Sequence, residues 1–402
     1  MSVQTMKKAI AVILAIAVVL MGLAACGKTN ETTQTMTDAQ ETATQANENG
    51  KELPEAHVCD GFDAQTEAEL LAISQTYQPV AVQFALLDGN TIKSFCYGYA
   101  DLESGSTLTD ETKYRAASLS KLASAVVFME AKERGFVDEE TDISDYFGES
   151  CRNPYYPQTV ITSSMLMTHT ASLDIEGYSS YYSGMLNETG CYLRTEPGAA
   201  YEYSNLGYGV LSCALERACG LPFNTMAREW VFTPMGIDAS FVYSELTDTS
   251  DVGALYGENG GLSIAELEDR TGKGFGTDLT LACGNLIISA KDYVKLLGVL
   301  IHDGADVNGT KILSQESVAS LLKERFQTET FGVAFGSQIQ TNLIEGQTVY
   351  VHTGSAYGMF SAYVFDPATK RAVVAFTVGE DRYMDSESEV YYLCQDFFRA
   401  VW

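Results

Sequence analysis

Positive charge is scarce in this chain: 25 Lys and Arg stand against 53 Asp and Glu, a formal net charge of −28. A surface of that sign has little to offer nucleic-acid phosphates, so no nucleic-acid partner is expected. Histidine is rarer still, four residues far apart, and no two of the nine cysteines form a Cys-x-x-Cys pair. Metal-ligand spacing is therefore missing, and neither a metal nor a cofactor is expected. A Gly-x-Ser-x-Gly elbow is also absent, which disfavours an α/β-hydrolase triad. No internal repeat and no second low-complexity tract interrupts the chain after residue 56.

The N-terminus supplies the first positive feature. Lys7 and Lys8 precede an apolar stretch, Ala9 to Leu23, broken only by Gly22 and closed by Ala24-Ala25-Cys26. The stretch is short for a membrane span and fits an export signal over residues 1–26. Leu23-Ala24-Ala25-Cys26 resembles the processing box of bacterial lipoproteins, which implies lipidation at Cys26 and a place on the outer face of the bacterial cell membrane. Residues 27–56 are Thr, Gln, Asn and Glu with almost nothing to bury, and read as a disordered polar linker. Such a tether spans roughly 30 Å root-mean-square. Losing the signal removes two lysines and no acid, so anionic lipid would attract the remainder little and the lipid would have to supply the attachment.

Residues 57–402 are long enough for one large domain or two interleaved parts. Ala64–Tyr77 carries Leu70, Ile73 and Tyr77 on one helical face. Val80–Leu87 and Thr91–Tyr99 read as strands joined by Asp88-Gly89-Asn90, a hairpin turn. Strands return at Val349–Thr353, Phe360–Phe365 and Ala372–Val378, and Ser386–Trp402 reads as a closing amphipathic helix. This predicts an α+β fold. An antiparallel sheet is built from both ends of the chain, about 57–117 and 285–402, with a mainly helical region inserted over about 118–284. The site would lie between the two parts. Cys59, Cys96, Cys151 and Cys191 flank turns or strands and are the better candidates for disulfides; Cys213, Cys219, Cys283 and Cys394 sit in apolar runs and read as small buried side chains.

The centre of the chain is Ser118-Leu119-Ser120-Lys121, followed by a run that is apolar almost all round to Met129. Such a helix is buried, with Ser118 at its start and Lys121 one turn on along the same face. A hydroxyl beside a lysine at the positive end of a helix has what a nucleophile needs. Alone the pattern is weak, since about one such pair is expected by chance. A second copy, Ser320–Lys323, lies in the helical pattern Ser314–Arg325 and reads as an exposed face.

Further landmarks follow in order: Leu166–Leu173 with His169, Tyr203-Ser204-Asn205, Pro234–Ile237, Cys283-Gly284-Asn285-Leu286, and His352-Thr353-Gly354-Ser355 on a predicted strand. With these the sequence resembles the serine β-lactamase and penicillin-binding superfamily, in the branch of class C β-lactamases and DD-peptidases, over essentially all of residues 57–402. The resemblance implies a serine hydrolase with Ser118 as nucleophile, Lys121 sharing or accepting its proton, and Tyr203 as a proton shuttle whose pKa is lowered by its neighbours. Asn205 would hold Lys121 and the substrate amide, His352, Thr353, Gly354 and Ser355 would line the substrate, and the backbone N–H groups of Ser118 and Ser355 would form the oxyanion hole. Small peptides, amides, esters or β-lactams would be substrates, most readily D-alanyl peptides of the cell wall. Two departures stand out: His352 where most β-lactamases have Lys, and Ala171 where relatives usually have Ser or Gly. A neutral histidine holds a carboxylate less firmly than lysine, which points away from a dedicated β-lactamase. A true β-lactamase, an esterase or D-amino-acid peptidase, and a silent wall-binding module are the rival readings. His169 reads as a structural hydrogen-bonder, and Tyr178, Tyr181 and Tyr182 as loop packing or a cleft rim.

Overall fold

A computed structural model of the chain describes residues 57–174, 186, 188–257, 260–267, 274–379 and 383–402, with the backbone of 45–46 and 52–53. Cys26 and the signal segment lie outside the described residues, as do Tyr178, Tyr181 and Tyr182. Within the stretch read as a polar linker, Gln45–Ala46 pairs antiparallel with Glu52–Leu53.

The sheet holds ten strands among the described residues, all antiparallel. After β1 (His57–Asp60) comes helix α1 (Ala64–Tyr77), then β2 (Ala81–Asp88), β3 (Thr91–Asp101) and the short β4 (Ser106–Thr107). The helical region contains α2 (Ser120–Glu133) and α3 (Asn205–Cys219), followed by α4 (Ala290–Ile301) and α5 (Gln315–Leu322). The chain then returns to the sheet with β5 (Phe326–Gln327), β6 (Gly332–Ala334), β7 (Ser337–Gln340), β8 (Val349–Ala356), β9 (Met359–Asp366) and β10 (Arg371–Val378), and ends in α6 (Tyr392–Val401). Strand order is β5-β6-β7-β8-β9-β10-β2-β3-β1, with β4 on β3. The two chain ends meet where β10 pairs β2, from Arg371 opposite Asp88 to Val378 opposite Ala81.

Those central strands are buried on both faces, which explains why they read as continuous apolar runs. The two-residue period divides them. Val82, Phe84 and Leu86 join Val373 and Ala375 under α1 and α6, where Phe84 stacks on Phe397 at 5.1 Å. Ala81, Ala85 and Leu87 join Val374 and Phe376 on the face that carries α4 and the helical region. Local chemistry sets the helix ends. Asp63 accepts from the N–H groups of Gln65 and Thr66 at the start of α1, and Ser289 caps α4 by accepting from Asp292 N–H.

Three sequence expectations shift. The last helix begins at Tyr392 and not at Ser386, because the Asp385 carboxylate accepts from the N–H groups of Glu387 and Ser388 and folds that stretch into a turn. Helix α5 stops at Leu322, since Lys323 is extended. No disulfide joins the cysteines of the described residues. Cys59 pairs in register with Phe95 and Cys96 with Val58, so the pleat sends the two thiols to opposite faces of the sheet.

Candidate active site

Ser118 is placed by a turn that is fixed on several sides. Tyr114–Arg115 pairs with Ile287–Ile288, and Ala116 N–H donates to Leu286 O at 2.8 Å. Ala117 then adopts φ +50°, a left-handed conformation that disfavours a residue with a Cβ. Ser120 Oγ donates to Ala117 O at 2.6 Å and accepts from Leu286 N–H at 3.0 Å. Tyr293 donates to Leu119 O, and Ser361 Oγ to Ala116 O. Residues Ala117–Leu119 form one 3-10 turn and α2 begins at Ser120. The Ser118 hydroxyl makes no capping bond to this helix and faces a cluster of polar groups. Helix α2 is buried from Ser120 to Ala131, as its apolar composition requires.

Lys121, one turn into the helix, has no exposed surface. Its Nζ is 3.1 Å from Ser118 Oγ, 2.8 Å from Asn205 Oδ1 and 2.8 Å from Cys283 O. Burial draws its pKa down to about 8. Two of the three partners are carbonyl oxygens that can only accept, so two N–H bonds are committed to them. The third position, facing Ser118, holds a proton in the ammonium and a lone pair in the amine. Proton exchange from Lys121 is thereby aimed at Ser118.

Tyr203 donates its hydroxyl to Ser118 Oγ at 2.8 Å. Burial raises its pKa, against the opposing effect of the Ser118 hydrogen bond. This corrects the expectation of a lowered value: Lys121 lies over the tyrosine ring at 4.8 Å and not against its oxygen. Tyr203 is thus a phenol whose O–H is given to Ser118.

Asn205 opens α3, whose cap is the Ser204 hydroxyl accepting from Gly207 N–H. The residue behind this arrangement is His169, buried and at φ +59°. Its carbonyl accepts from Glu202 N–H at 2.8 Å, and its Nδ1 accepts from Ser204 N–H at 3.0 Å, so it grips the backbone on both sides of Tyr203. The imidazole also stacks on the Tyr203 ring at 4.5 Å. Burial, then the charges of Lys121 and His352, holds its pKa well below the usual range.

His352 does not face solvent as an isolated strand histidine would; it is 9 % exposed. Its Nδ1 lies 2.6 Å from Thr353 O, so that nitrogen carries the proton. Burial, reinforced by Lys121, pushes the pKa down to about 4, leaving Nε2 with a lone pair. Strand β7 leaves β8 at Val351, so the cleft side of His352–Ala356 has no strand partner among the described residues. Thr353 and Ser355 line the opening. Gly354 is pressed against the Ser118 turn: a Cβ there would stand 2.4 Å from Ser361 Oγ, 2.9 Å from Ala116 O and 3.1 Å from Ser118 N. Ser320, in the second Ser-x-x-Lys pair, instead donates to Glu139 while Lys323 is exposed.

Ser118 stands between two lobes of a groove. The larger, about 930 Å³, includes Tyr203, His352, Phe331 and Glu389; the smaller, about 290 Å³, includes Arg115, Asn205, Gly284 and Tyr357. Sequence reading missed the lysine acceptor Cys283 O, the grip of His169 on Tyr203, and the carboxylates of the larger lobe. Only the supporting stretches around Cys283 and His169 signalled any of these.

A half-buried serine that hydrogen-bonds both a buried lysine and a tyrosine, beside an antiparallel sheet, defines a serine hydrolase of the β-lactamase and penicillin-binding superfamily. Residues 64–393 match the beta-lactamase family, and the chain belongs to it. Penicillin-binding protein 4 of Amycolatopsis lactamdurans is 22% identical over 328 residues, 76% of this chain and 80% of that protein. The D-alanyl-D-alanine-carboxypeptidase/endopeptidase AmpH of Escherichia coli K12 is 27% identical over 165 residues, 38% of this chain and 42% of that protein, so the match spans less than half of that relative. The fold is also that of the crystal structure of class C beta lactamase from Rhodobacter sphaeroides, with a TM-score of 0.68 at 16% identity, over 84% of this chain and 99% of that one.

Proposed function

We propose that the chain is a D-alanyl-peptide hydrolase of the penicillin-binding type, acting through an acyl-Ser118 ester. The observation that carries the reading is the Ser118 oxygen held at once by Lys121, at 3.1 Å, and by Tyr203, at 2.8 Å. The neutral amine of Lys121 takes the hydroxyl proton as Ser118 Oγ attacks the carbonyl carbon. The proton passes through Tyr203 to the departing nitrogen as the C–N bond breaks. Water then enters, gives its proton back along the same path, and releases the acid and free Ser118. The backbone N–H groups of Ser118 and Ser355 are the proposed oxyanion donors, with Asn205 on the substrate amide. What supports peptides over a dedicated β-lactamase is His352, which is neutral and supplies no cation in place of lysine.

The test is the intact mass of the chain, wild type and Ser118→Ala, with a fluorophosphonate, with a penicillin, and with D-alanyl peptides. A Ser118-dependent penicillin adduct that persists, with peptide turnover, is expected. An adduct that clears as penicillin is consumed would make the chain a β-lactamase. Absence of any labelling at Ser118 sinks the assignment.

The chain's place is proposed to be the outer face of the bacterial cell membrane, held by lipid on Cys26. The support is the sequence Leu23-Ala24-Ala25-Cys26 behind its apolar stretch. Detergent-phase partitioning of the full chain that survives Cys26→Ser would exclude the lipid.

A further inference from the structure

We infer that the larger lobe of the groove is a leaving-group site for amines, alcohols or thiols that carry a positive charge or a hydrogen-bond donor and no carboxylate. The inference rests on the acyl-Ser118 reading above and narrows its substrates to internal or capped D-alanyl bonds over free C-terminal ones.

The direction of the substrate follows from the proton relay. Tyr203 hands its proton to the departing atom, so that atom lies on the side of Ser118 where Tyr203 stands. Tyr203 lines the larger lobe and is absent from the lining of the smaller one. The acyl part therefore occupies the smaller lobe, beside Asn205 and Tyr357.

The larger lobe has a definite polarity. The charged side chains in its lining are Glu329 and Glu389, with no lysine or arginine among the described lining residues. Glu389 is fixed in place: its N–H donates to Asp385 O at 2.9 Å, its φ is +55°, and its carboxylate accepts from Gln338 Nε2 at 3.3 Å. A second observation is independent of these acids. His352, 9 % exposed at the floor of the lobe, spends its Nδ1–H on Thr353 O, and among the described residues its Nε2 has no hydrogen-bond partner. A nitrogen lone pair at the floor asks for a donor from the ligand, and a carboxylate brings none. Two cations of the described residues near Ser118 are committed elsewhere. Lys121 is enclosed by its three partners, and Arg115 belongs to the other lobe, bound to Gly284 O and Asn285 Oδ1. A free C-terminal carboxylate entering this lobe meets two like charges and an acceptor.

Three benzoylglycyl thioesters with the same acyl group test this, the leaving thiol being thiocholine (cationic), 2-mercaptoethanol (neutral) or mercaptoacetate (anionic). In each, the acyl group moves to Ser118 Oγ, the C–S bond breaks, and the thiol departs. The expected order of kcat/KM is thiocholine, mercaptoethanol, mercaptoacetate, with about tenfold between the extremes at low salt and less at high salt. Glu329→Gln/Glu389→Gln should bring that ratio toward one. A mercaptoacetate ester turned over as fast as the thiocholine ester overturns the inference, as does a ratio unmoved by the double variant. Turnover of none of the three, with Ser118 still labelled by a fluorophosphonate, overturns it too. If the thioester preference holds but no D-alanyl peptide is cleaved, the peptide reading fails alone.

Discussion

Lys121 Nζ stands 3.1 Å from Ser118 Oγ with its other two hydrogen bonds given to carbonyl oxygens. Its charge state therefore decides whether Ser118 meets a proton donor or a base. Burial favours the neutral amine and sets the pKa near 8. Below that value the ammonium cannot accept, so the acylation rate should rise with pH through about 8 and then level. Stopped-flow acylation from pH 6.5 to 9.5 reads this, and a flat profile excludes Lys121 as the base. Lys121→Met should lower acylation by about 10²–10⁴-fold, the usual range for a lost general base.

Gly354 sets how closely β8 approaches Ser118. A methyl group there meets Ser361 Oγ at 2.4 Å and Ala116 O at 2.9 Å. Neither Ala116 nor the strand can yield without moving Ser118. Gly354→Ala should lower stability by about 1–3 kcal/mol and reduce acylation further than the fall in folded fraction explains. Adding Ser361→Ala relieves one contact and leaves the two backbone ones, so activity should return only in part. Urea melts beside acylation rates separate the two effects. Full activity in Gly354→Ala would show that the close approach is not needed.

His352 is buried neutral, with a folded pKa near 4 against 6.5 in an unfolded chain. The folded state therefore binds fewer protons, and stability present above pH 6.5 is lost as pH falls toward 4. His169 shifts in the same direction and adds to the slope. Urea melts at pH 7.5, 6.5 and 5.5 should show stability falling with acid, and His352→Asn should flatten the dependence. Equal slopes in wild type and variant would mean that His352 is already solvated or charged when folded.

The Ser118–Lys121 contact and the strands were legible because their signals are local. Ser118 and Lys121 are one helical turn apart, and the central strands are continuous apolar runs. Other features depend on burial, strand register and competing side-chain contacts that no local pattern encodes. The resemblance implied a lowered pKa for Tyr203, yet depth of burial raises it and no spacing encodes depth. Cys59 and Cys96 were both candidates for disulfides, and the register of β1 on β3 sends them to opposite faces. Ser386–Glu389 continued a helical pattern, but the Asp385 carboxylate competes for its backbone. Glu329 and Glu389 reach one lobe from two separate turns, with no periodicity to announce it.

His169 is the positioning residue for Tyr203. Its carbonyl and its Nδ1 take the N–H groups of Glu202 and Ser204, the residues on either side of the tyrosine, and its ring covers the tyrosine face. His169→Ala leaves the Ser204 N–H without its acceptor, a loss of about 1–3 kcal/mol, and uncovers the ring. With the phenol no longer held 2.8 Å from Ser118 Oγ, kcat should fall by about tenfold or more while KM changes little. Asn tolerates the left-handed backbone that His169 adopts at φ +59° and offers an oxygen to Ser204. His169→Asn should therefore recover stability and leave kcat low, since it cannot stack. Recovery of both would reduce His169 to a brace for the turn, and an alanine variant that melts early yet keeps its kcat would do the same.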